Sequence, residues 1–267
     1  MPPKTANGQN GALFFKLHTH NNMLTKADIT MIRSLADKKS RTEHGLFVVE
    51  GRKMVAEALE SDMKVRRVLG TEDFAGLHGC EIVSRKDIER MSSLKTPQGV
   101  MALIEIPQYT LPKDPGNELT LALDSVQDPG NMGTIIRLAD WFGIRDIICS
   151  PETADCYGPK TVQATMGAIF RVKTHYENLP EVLGRAKHPV FGTFLDGENI
   201  YGAKFDGHRG IIVLGNEGNG ISSAVARTVT RKLFIPPYPA GDPASESLNV
   251  GVAAAIACSE FRRRCGA

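Results

Sequence analysis

Apolar residues along this chain change their period repeatedly, and each change marks an element. Ile29, Ile32 and Leu35 recur at helical spacing, the run over 38–44 is polar throughout, and a β-branched strand follows at 46–49. After Glu50 and Gly51, the residues Met54, Val55, Ala58 and Leu59 again share one helical face. Strands at 65–69 and 82–83, a helix at 86–91 and a strand at 100–104 complete a small α/β unit ending near Pro107. Pro107, Pro112, Pro115 and Gly116 then break all periodicity, which marks 108–118 as a linker.

Beyond the linker, short apolar runs alternate with helical patterns. Strands are expected at 119–123, 146–149, 172–175, 190–194, 211–214 and 232–235, and helices at 132–141, 160–168, 179–186, 222–228 and 248–264. Such alternation predicts an α/β fold with a mostly parallel sheet covered by helices on both faces. Residues 1–22, rich in Asn, Gly, Thr and His, are expected to form a flexible tail. His18 and His20 have no acid or Cys beside them and are read as solvated, so no metal site is expected.

Composition narrows the classes further. With 42% hydrophobic residues in 267, the chain has material for a sizeable core and is not a disordered polypeptide. Its apolar runs, such as 211–214 and 250–257, fall far short of the roughly 18 residues that span a bilayer. The balance of 32 Lys and Arg against 30 Asp and Glu excludes a uniformly basic nucleic-acid coat. Five cysteines without a C-x-x-C pair support neither a disulfide framework nor a zinc finger. Residues 1–22 also lack the apolar core of a secretion signal, so a cytoplasmic location is expected.

Ligands of open parallel sheets bind beyond the carboxyl ends of strands, which directs attention to three loops. The first follows 119–123 and runs from Asp124 through Pro129, Gly130 and Asn131 to Gly133 and Arg137. Its turn and cap residues open a helix, leaving backbone N–H groups for a polar ligand. Arg137 falls one turn after Gly133, where the missing side chain is expected to leave room beside the guanidinium. The bland alternative is a surface pair between Arg137 and Asp140. The second loop, Gly215 to Ser222, is glycine-rich but has neither a Walker A lysine nor the G-x-G-x-x-G order, so turn formation is favoured over ligand approach. The third ends in Ser247, Leu248, Asn249 and Val250 ahead of a helix rich in Ala and Gly. There Ser247 reads as the N-cap, Asn249 as an amide within the first turn, and the small residues as a crowded interface.

Taken together, the three segments resemble one family. Asn131, Gly133 and Arg137 match N-x-G-x-x-x-R; Gly215, Glu217, Gly218 and Gly220 match G-x-E-G-x-G; Ile235 and Pro236, followed by Ser247, Leu248, Asn249 and Val250, match an Ile-Pro strand end and S-L-N-V. In this order they resemble the SpoU/TrmH family of RNA 2′-O-ribose methyltransferases, of the SPOUT class. Residues 47–53 and 96–100 are similar to the small ribosomal-protein-like substrate-binding domain found ahead of many such enzymes. One departure is the interval between Ile235 and Leu248, longer than the family spacing, with Pro239, Gly241 and Pro243 in the excess.

The resemblance implies an RNA substrate-binding domain at 23–107 and a catalytic domain at 119–267 with a deep trefoil knot, paired as a homodimer through the knotted domain. It implies S-adenosylmethionine as cofactor, held by Thr193, Leu195, Leu214, Gly215, Asn216, Gly218, Ile235, Leu248 and Asn249. Arg137, with Asn131, Glu217, Ser247 and Asn249, is implied to serve methyl transfer to a ribose 2′-oxygen. Ribosomal RNA is favoured over transfer RNA because of the first domain. No membrane partner is expected.

Arg33, Lys38, Lys39, Arg41, Arg52 and Lys53 are the candidates for phosphate contacts. Asp37, Glu43 and Glu50 lie among them, so a solvated mixed-charge face is the alternative. Arg262, Arg263 and Arg264 either bind phosphate or complement a helix C-terminus. Two other functions stay open on the residues alone. One is a nucleotide-dependent transferase or dehydrogenase, although its phosphate loop is missing after the first catalytic-domain strand. The other is a noncatalytic RNA-binding protein of the same fold, against which the joint presence of Asn131, Arg137, Glu217 and Asn249 argues.

Overall fold

A computed structural model describes residues 24–239 and 247–265 of the chain. The expected tail at 1–22, with His18 and His20, lies outside the described residues. Helix α1 (Lys26–Ser34) opens with a reciprocal cap between Thr25 and Asp28 and buries Ile29 and Ile32. The polar run that follows is itself a helix, α2 (Lys38–His44), closed by Gly45 in the left-handed region at φ 63°. Periodicity missed it because its buried residue is Arg41.

The first sheet contains β1 (Leu46–Glu50), β2 (Val65–Gly70), β3 (Cys80–Ile82) and β4 (Val100–Glu105) in the order β1-β4-β2-β3. Strand β4 is antiparallel to β1 and β2, while β3 runs parallel to β2. Helices α3 (Arg52–Glu60) and α4 (Arg85–Met91) complete this unit.

The second sheet takes β5 (Thr120–Leu123), β6 (Asp146–Cys149), β7 (Lys173–Tyr176), β8 (Val190–Asn199), β9 (Ile211–Leu214) and β10 (Arg231–Phe234) in the order β10-β8-β9-β5-β6-β7. Every neighbouring pair is parallel, so all carboxyl ends share one edge. All four residues of β5 and of β9 are buried, as befits central strands covered on both faces. The covering helices are α5 (Pro129–Trp141), α6 (Pro159–Thr165), α7 (Leu179–Gly184), the short α8 (Ser223–Ala226) and α9 (Val250–Arg263).

An expected helix end and an expected glycine role changed for physical reasons. The helix expected at 160–168 stops at Thr165, because Met166 (φ 52°) and Gly167 (φ 96°) turn left-handed before a 3-10 turn at Ala168–Phe170. Gly133 does not leave space beside Arg137. A Cβ there would lie 2.4 Å from Ala164 Cβ and 2.8 Å from Thr161 O, so this glycine lets α5 and α6 approach.

The two sheets share one apolar core. Phe47, Val49 and Val55 from the first unit join Leu121, Ile135, Tyr157 and Val162 from the second, and the Phe47 and Tyr157 rings lie 4.7 Å apart. Arg41, expected to contact phosphate, is 4% exposed and built into this junction. Its Nε and Nη2 reach Asp155 Oδ2 at 3.1 and 2.5 Å, and its Nη1 donates to the Leu35 and Ala36 carbonyls at 2.7 and 2.8 Å. Nothing of the guanidinium is left for RNA. A second bridge runs from Glu57 to Arg171 to Asp140.

Removing one partner of a buried pair strands the other without compensation. Arg41→Ala is expected to lower the unfolding free energy by about 3 kcal/mol in a urea titration. The Arg41→Ala/Asp155→Ala double variant should lose less than the sum of the single changes.

Candidate active site

Strand order dictates which loops meet. Strands β5 and β9 are neighbours although 86 residues separate Asn131 from Glu217 in the loops that follow them. The chain leaves β5 toward β6 on one side while β9 sits on the other, the arrangement that opens a crevice at the carboxyl edge.

Helix α5 opens with Asp128 as N-cap, accepting from Asn131 N at 2.8 Å, and Pro129 at its first position. The Asn131 side chain projects to the second loop, where its Nδ2 donates to Glu217 Oε1 at 2.8 Å. From the third segment, Asn249 Nδ2 donates to Asn131 Oδ1 at 3.0 Å. Asn249, not Ser247, is the N-cap of α9: its Oδ1 accepts from Gly251 N at 2.9 Å and Val252 N at 3.3 Å. Ser247 is exposed two residues before the cap.

This chain of bonds has one polarity. The backbone N–H groups of α9 can only donate, so Asn249 turns its oxygen toward them and its nitrogen toward Asn131. Asn131 must then present oxygen to Asn249 and nitrogen to the carboxylate. Among the described residues Glu217 Oε2 accepts no hydrogen bond, which leaves one carboxylate oxygen able to accept.

The glycine-rich loop is a tightly closed turn. Asn216 and Gly220 exchange backbone hydrogen bonds at 3.0 and 2.9 Å. A Cβ on Gly215 would sit 2.3 Å from Gly220 C, so only glycine permits the closure. Asn216 donates to Ser125 O at 2.8 Å and accepts from Gly218 N and Asn219 N at 2.9 and 3.0 Å. Its side chain is thus consumed by the turn and offers a cofactor only its backbone. Glu217 and Gly218 stand exposed at the tip.

Sequence reading missed the supports beneath these loops. Ser125 holds φ 59° and donates its N–H to Ser150 Oγ at 3.0 Å, and the buried Asp124 accepts from Ser222 N at 2.7 Å. The signal available was positional: both residues immediately follow a buried strand.

The remaining expected cofactor residues lie at the same sheet edge. Leu214 ends β9 in full burial, Ile235 follows β10 half-buried, and Thr193 Oγ1 donates to Val213 O at 3.3 Å. The β8–β10 ladder jumps from Gly192 opposite Lys232 to Glu198 opposite Leu233, so Thr193 and Leu195 lie in an outward bulge. Leu195 is 71% exposed and Leu248 46% exposed. Of the longer interval after Ile235, residues 240–246 lie outside the described residues.

Arg137 lies exposed on α5, and the expected pair with Asp140 is absent because Arg171 takes Asp140 at 2.9 to 3.0 Å. The basic candidates of the first unit are scattered. Lys39 is exposed, Lys38 lies over the Tyr176 ring, Arg52 over Phe74, Lys53 is 3.8 Å from Glu57, and Arg33 donates to Ser92 O.

Over residues 118–259 the sequence matches the SpoU rRNA Methylase family, and over residues 26–102 the MRM3-like substrate binding domain. The chain belongs to the SpoU rRNA methylase family. Among its relatives, the 23S rRNA (guanosine(2553)-2′-O)-methyltransferase RlmP of Bacillus subtilis (strain 168) is 31% identical over 240 residues, covering 86% of this chain and 94% of that one. A Porphyromonas gingivalis protein assigned to the TrmH family of RNA methyltransferases superposes with a TM-score of 0.82 at 42% identity, over 91% of this chain and 100% of that one. The AdoMet-bound rRNA methyltransferase of Sinorhizobium meliloti gives 0.79 at 31% identity, over 92% and 97%. The fold is that of the SPOUT class.

In this SpoU methylase, among the described residues, no cluster of three metal-ligating side chains occurs and no helix is long and apolar enough to cross a membrane. Burial pushes the Cys156 and Cys258 thiols up to about 12, which removes both as thiolate nucleophiles. Helix α9 is anchored at its far end by two of the three arginines considered for phosphate, Arg262 and Arg264. Arg262 donates to the Phe142 and Gly143 carbonyls, Arg264 to those of Ile200, Tyr201 and Ala203, and both Arg263 and Arg264 clasp Glu260.

Hydrogen bonds from Arg263, then Arg264, bring the Glu260 carboxyl down to about 2, from a usual 4.5. A depressed carboxylate contributes stability above its unfolded value and loses it as pH falls through the folded one. The stability advantage of wild type over Glu260→Gln should therefore be full above pH 5 and shrink as the pH drops from 4.5 toward 2, read by thermal unfolding at each pH.

Proposed function

We propose that this SpoU methylase transfers a methyl group from S-adenosylmethionine to a ribose 2′-hydroxyl of ribosomal RNA. The observation that carries the reading is the chain Asn249–Asn131–Glu217, which joins three distant motif segments on the helix that also bears an exposed Arg137, free of ion pairs among the described residues. Residues 26–102 supply RNA binding and 118–259 the transfer, as their family matches suggest. The named relative acts on a guanosine of 23S rRNA, which favours ribosomal over transfer RNA and the cytoplasm as the place of action.

The sheet edge fits the cofactor. Adenine and a methionine chain need apolar surface and free backbone groups. The bulge at 193–197, the glycine backbone at 215 and the exposed Leu195 and Leu248 offer both. Thr193, Leu195, Leu214, Gly215, Ile235 and Leu248 would hold it, with Asn216 and Gly218 contributing main chain. Bound there, it supplies an electrophilic methyl group on a sulfonium.

The residues of this chain then position and neutralise. Arg137 is cationic and has only donors, so it engages a substrate phosphate and the oxygen on which negative charge develops. Glu217 accepts from a ribose hydroxyl through Oε2, held in place by Asn131, whose own orientation Asn249 sets. Ser247 joins this group at the mouth of the site. The 2′-proton leaves by a substrate-assisted route, since a guanidinium is a poor base.

The chain also acts as a homodimer through the knotted second domain. Helices α5 and α9 flank an open groove of about 730 Å³ lined by Leu138, Trp141, Phe142, Tyr201 and Ile256, with Arg137 on its rim. Trp141 is 84% exposed, an unusual state for a large apolar side chain and one that a second copy would relieve.

Arg137→Ala should leave calorimetric binding of S-adenosylmethionine unchanged and lower single-turnover methylation of ribosomal RNA about 10²- to 10³-fold. Near wild-type turnover on an RNA that the wild type methylates would overturn the role of Arg137. Absence of labelled methyl in ribosomal RNA, with label in transfer RNA, would overturn the substrate.

A further inference from the structure

Helix α6 and the turn after it form a wedge between the substrate-binding unit and α5. One side of the wedge meets the first unit: Pro159 and Gln163 share a small cleft with Ser93 and Leu94, and Gly167 lies against the Glu57 carboxylate. The other side meets α5, where Ala164 and the Thr161 carbonyl press on Gly133. What remains outward is a stripe of Lys160 and Gln163 on α6 and Met166 at its left-handed C-cap, all exposed.

Arg137 lies one turn beyond the point where α5 meets α6. Gly133, Arg137 and Asp140 fall along one line of α5, at i, i+4 and i+7. The first touches α6 through Ala164 and the last touches the segment after α6 through Arg171. Arg137 lies between these two contacts along the helix, with its other flank toward the groove beside α9. On the other flank, Lys53 of α3 lies 3.8 Å from Glu57, whose carboxylate meets Gly167.

Two properties of the stripe point to a ligand. Its unspent charge is positive: Lys160 makes no ion pair among the described residues. The neighbouring acids are already engaged, Glu57 by Arg171, Asp155 by Arg41 and Glu50 by Ser92 Oγ and Ser93 N. Met166 also holds φ 52° while 47% exposed. A left-handed, non-glycine residue costs folding energy, and here the strain places a thioether chain on the surface instead of in the core.

We propose that Lys160, Gln163 and Met166 form the track along which the RNA strand passes from the substrate-binding unit to Arg137. Lys160 meets a phosphate, Gln163 hydrogen-bonds the strand, and Met166 packs against a base beside the target nucleotide. The assignment rests on the RNA methylation reading, continues the surface between the substrate-binding unit and Arg137, and names residues outside the three motifs.

The test uses full-length protein and a ribosomal RNA transcript that wild type binds and methylates; a wild type that does neither refutes the underlying reading instead. Lys160→Glu should weaken RNA binding roughly three- to tenfold at low salt and reduce the salt slope by about one. Met166→Gly relieves the left-handed strain, so its melting temperature should stay level or rise. Its kcat/KM for RNA should nevertheless fall about two- to tenfold, with S-adenosylmethionine affinity unchanged. A Met166→Gly enzyme with wild-type kcat/KM, or a Lys160→Glu enzyme with an unaltered salt slope, overturns the track. A parallel loss of cofactor affinity overturns it equally, because it would place the effect in the cofactor site.

Discussion

A single amide ties the site together. Asn131 gives its nitrogen to Glu217 and its oxygen to Asn249, so one side chain joins the loop after β5, the loop after β9 and the start of α9. Donor-only groups at the head of α9 and an acceptor carboxylate at the other end set the direction of every bond between them. The orientation of Glu217 is therefore inherited from a helix terminus more than thirty residues away in sequence. Mutual dependence of this kind makes pairwise deletion energies in the chain non-additive.

That amide can act only because the sheet is parallel and its strands are shuffled. With β9 beside β5, and β8 and β10 beyond, the loops bearing all three motifs emerge from one edge. The Gly215 closure, the positive φ of Ser125 and the Asp124 carboxylate beneath Ser222 are local devices that hold those loops in reach. Each is legible once the edge is known, and none marks itself as functional in the sequence.

The substrate-binding unit is joined to the catalytic one by a continuous core and not by the linker alone. Phe47 against Tyr157, Arg41 with Asp155, and Glu57 with Arg171 and Asp140 fix its placement. Arg41 shows how charge misleads when read along the chain. In sequence it belongs to a basic cluster with Lys38 and Lys39, yet its helix turns it inward, where an acid 114 residues away and two carbonyls satisfy it. Arg262 and Arg264 follow the same rule at the end of α9, where distant carbonyls hold them, while Arg263 stays exposed beside Glu260.

The sequence by itself determined the alternation of strands and helices, the punctuation at 108–118 and the three ordered motifs. These depend on side-chain period, turn chemistry and spacing, all local along the chain. It also marked Asn131, Arg137, Glu217 and Asn249 as a group through their resemblance to a family. Tertiary structure alone decided that Asn249 and not Ser247 caps α9, that Gly133 serves helix contact, and that Asn216 is spent within its own turn. It alone placed Arg41 in the core and left Met166 outside it. These outcomes turn on which distant partner reaches a polar group first, and contacts across 86 to 118 residues of separation leave no period for a sequence to show.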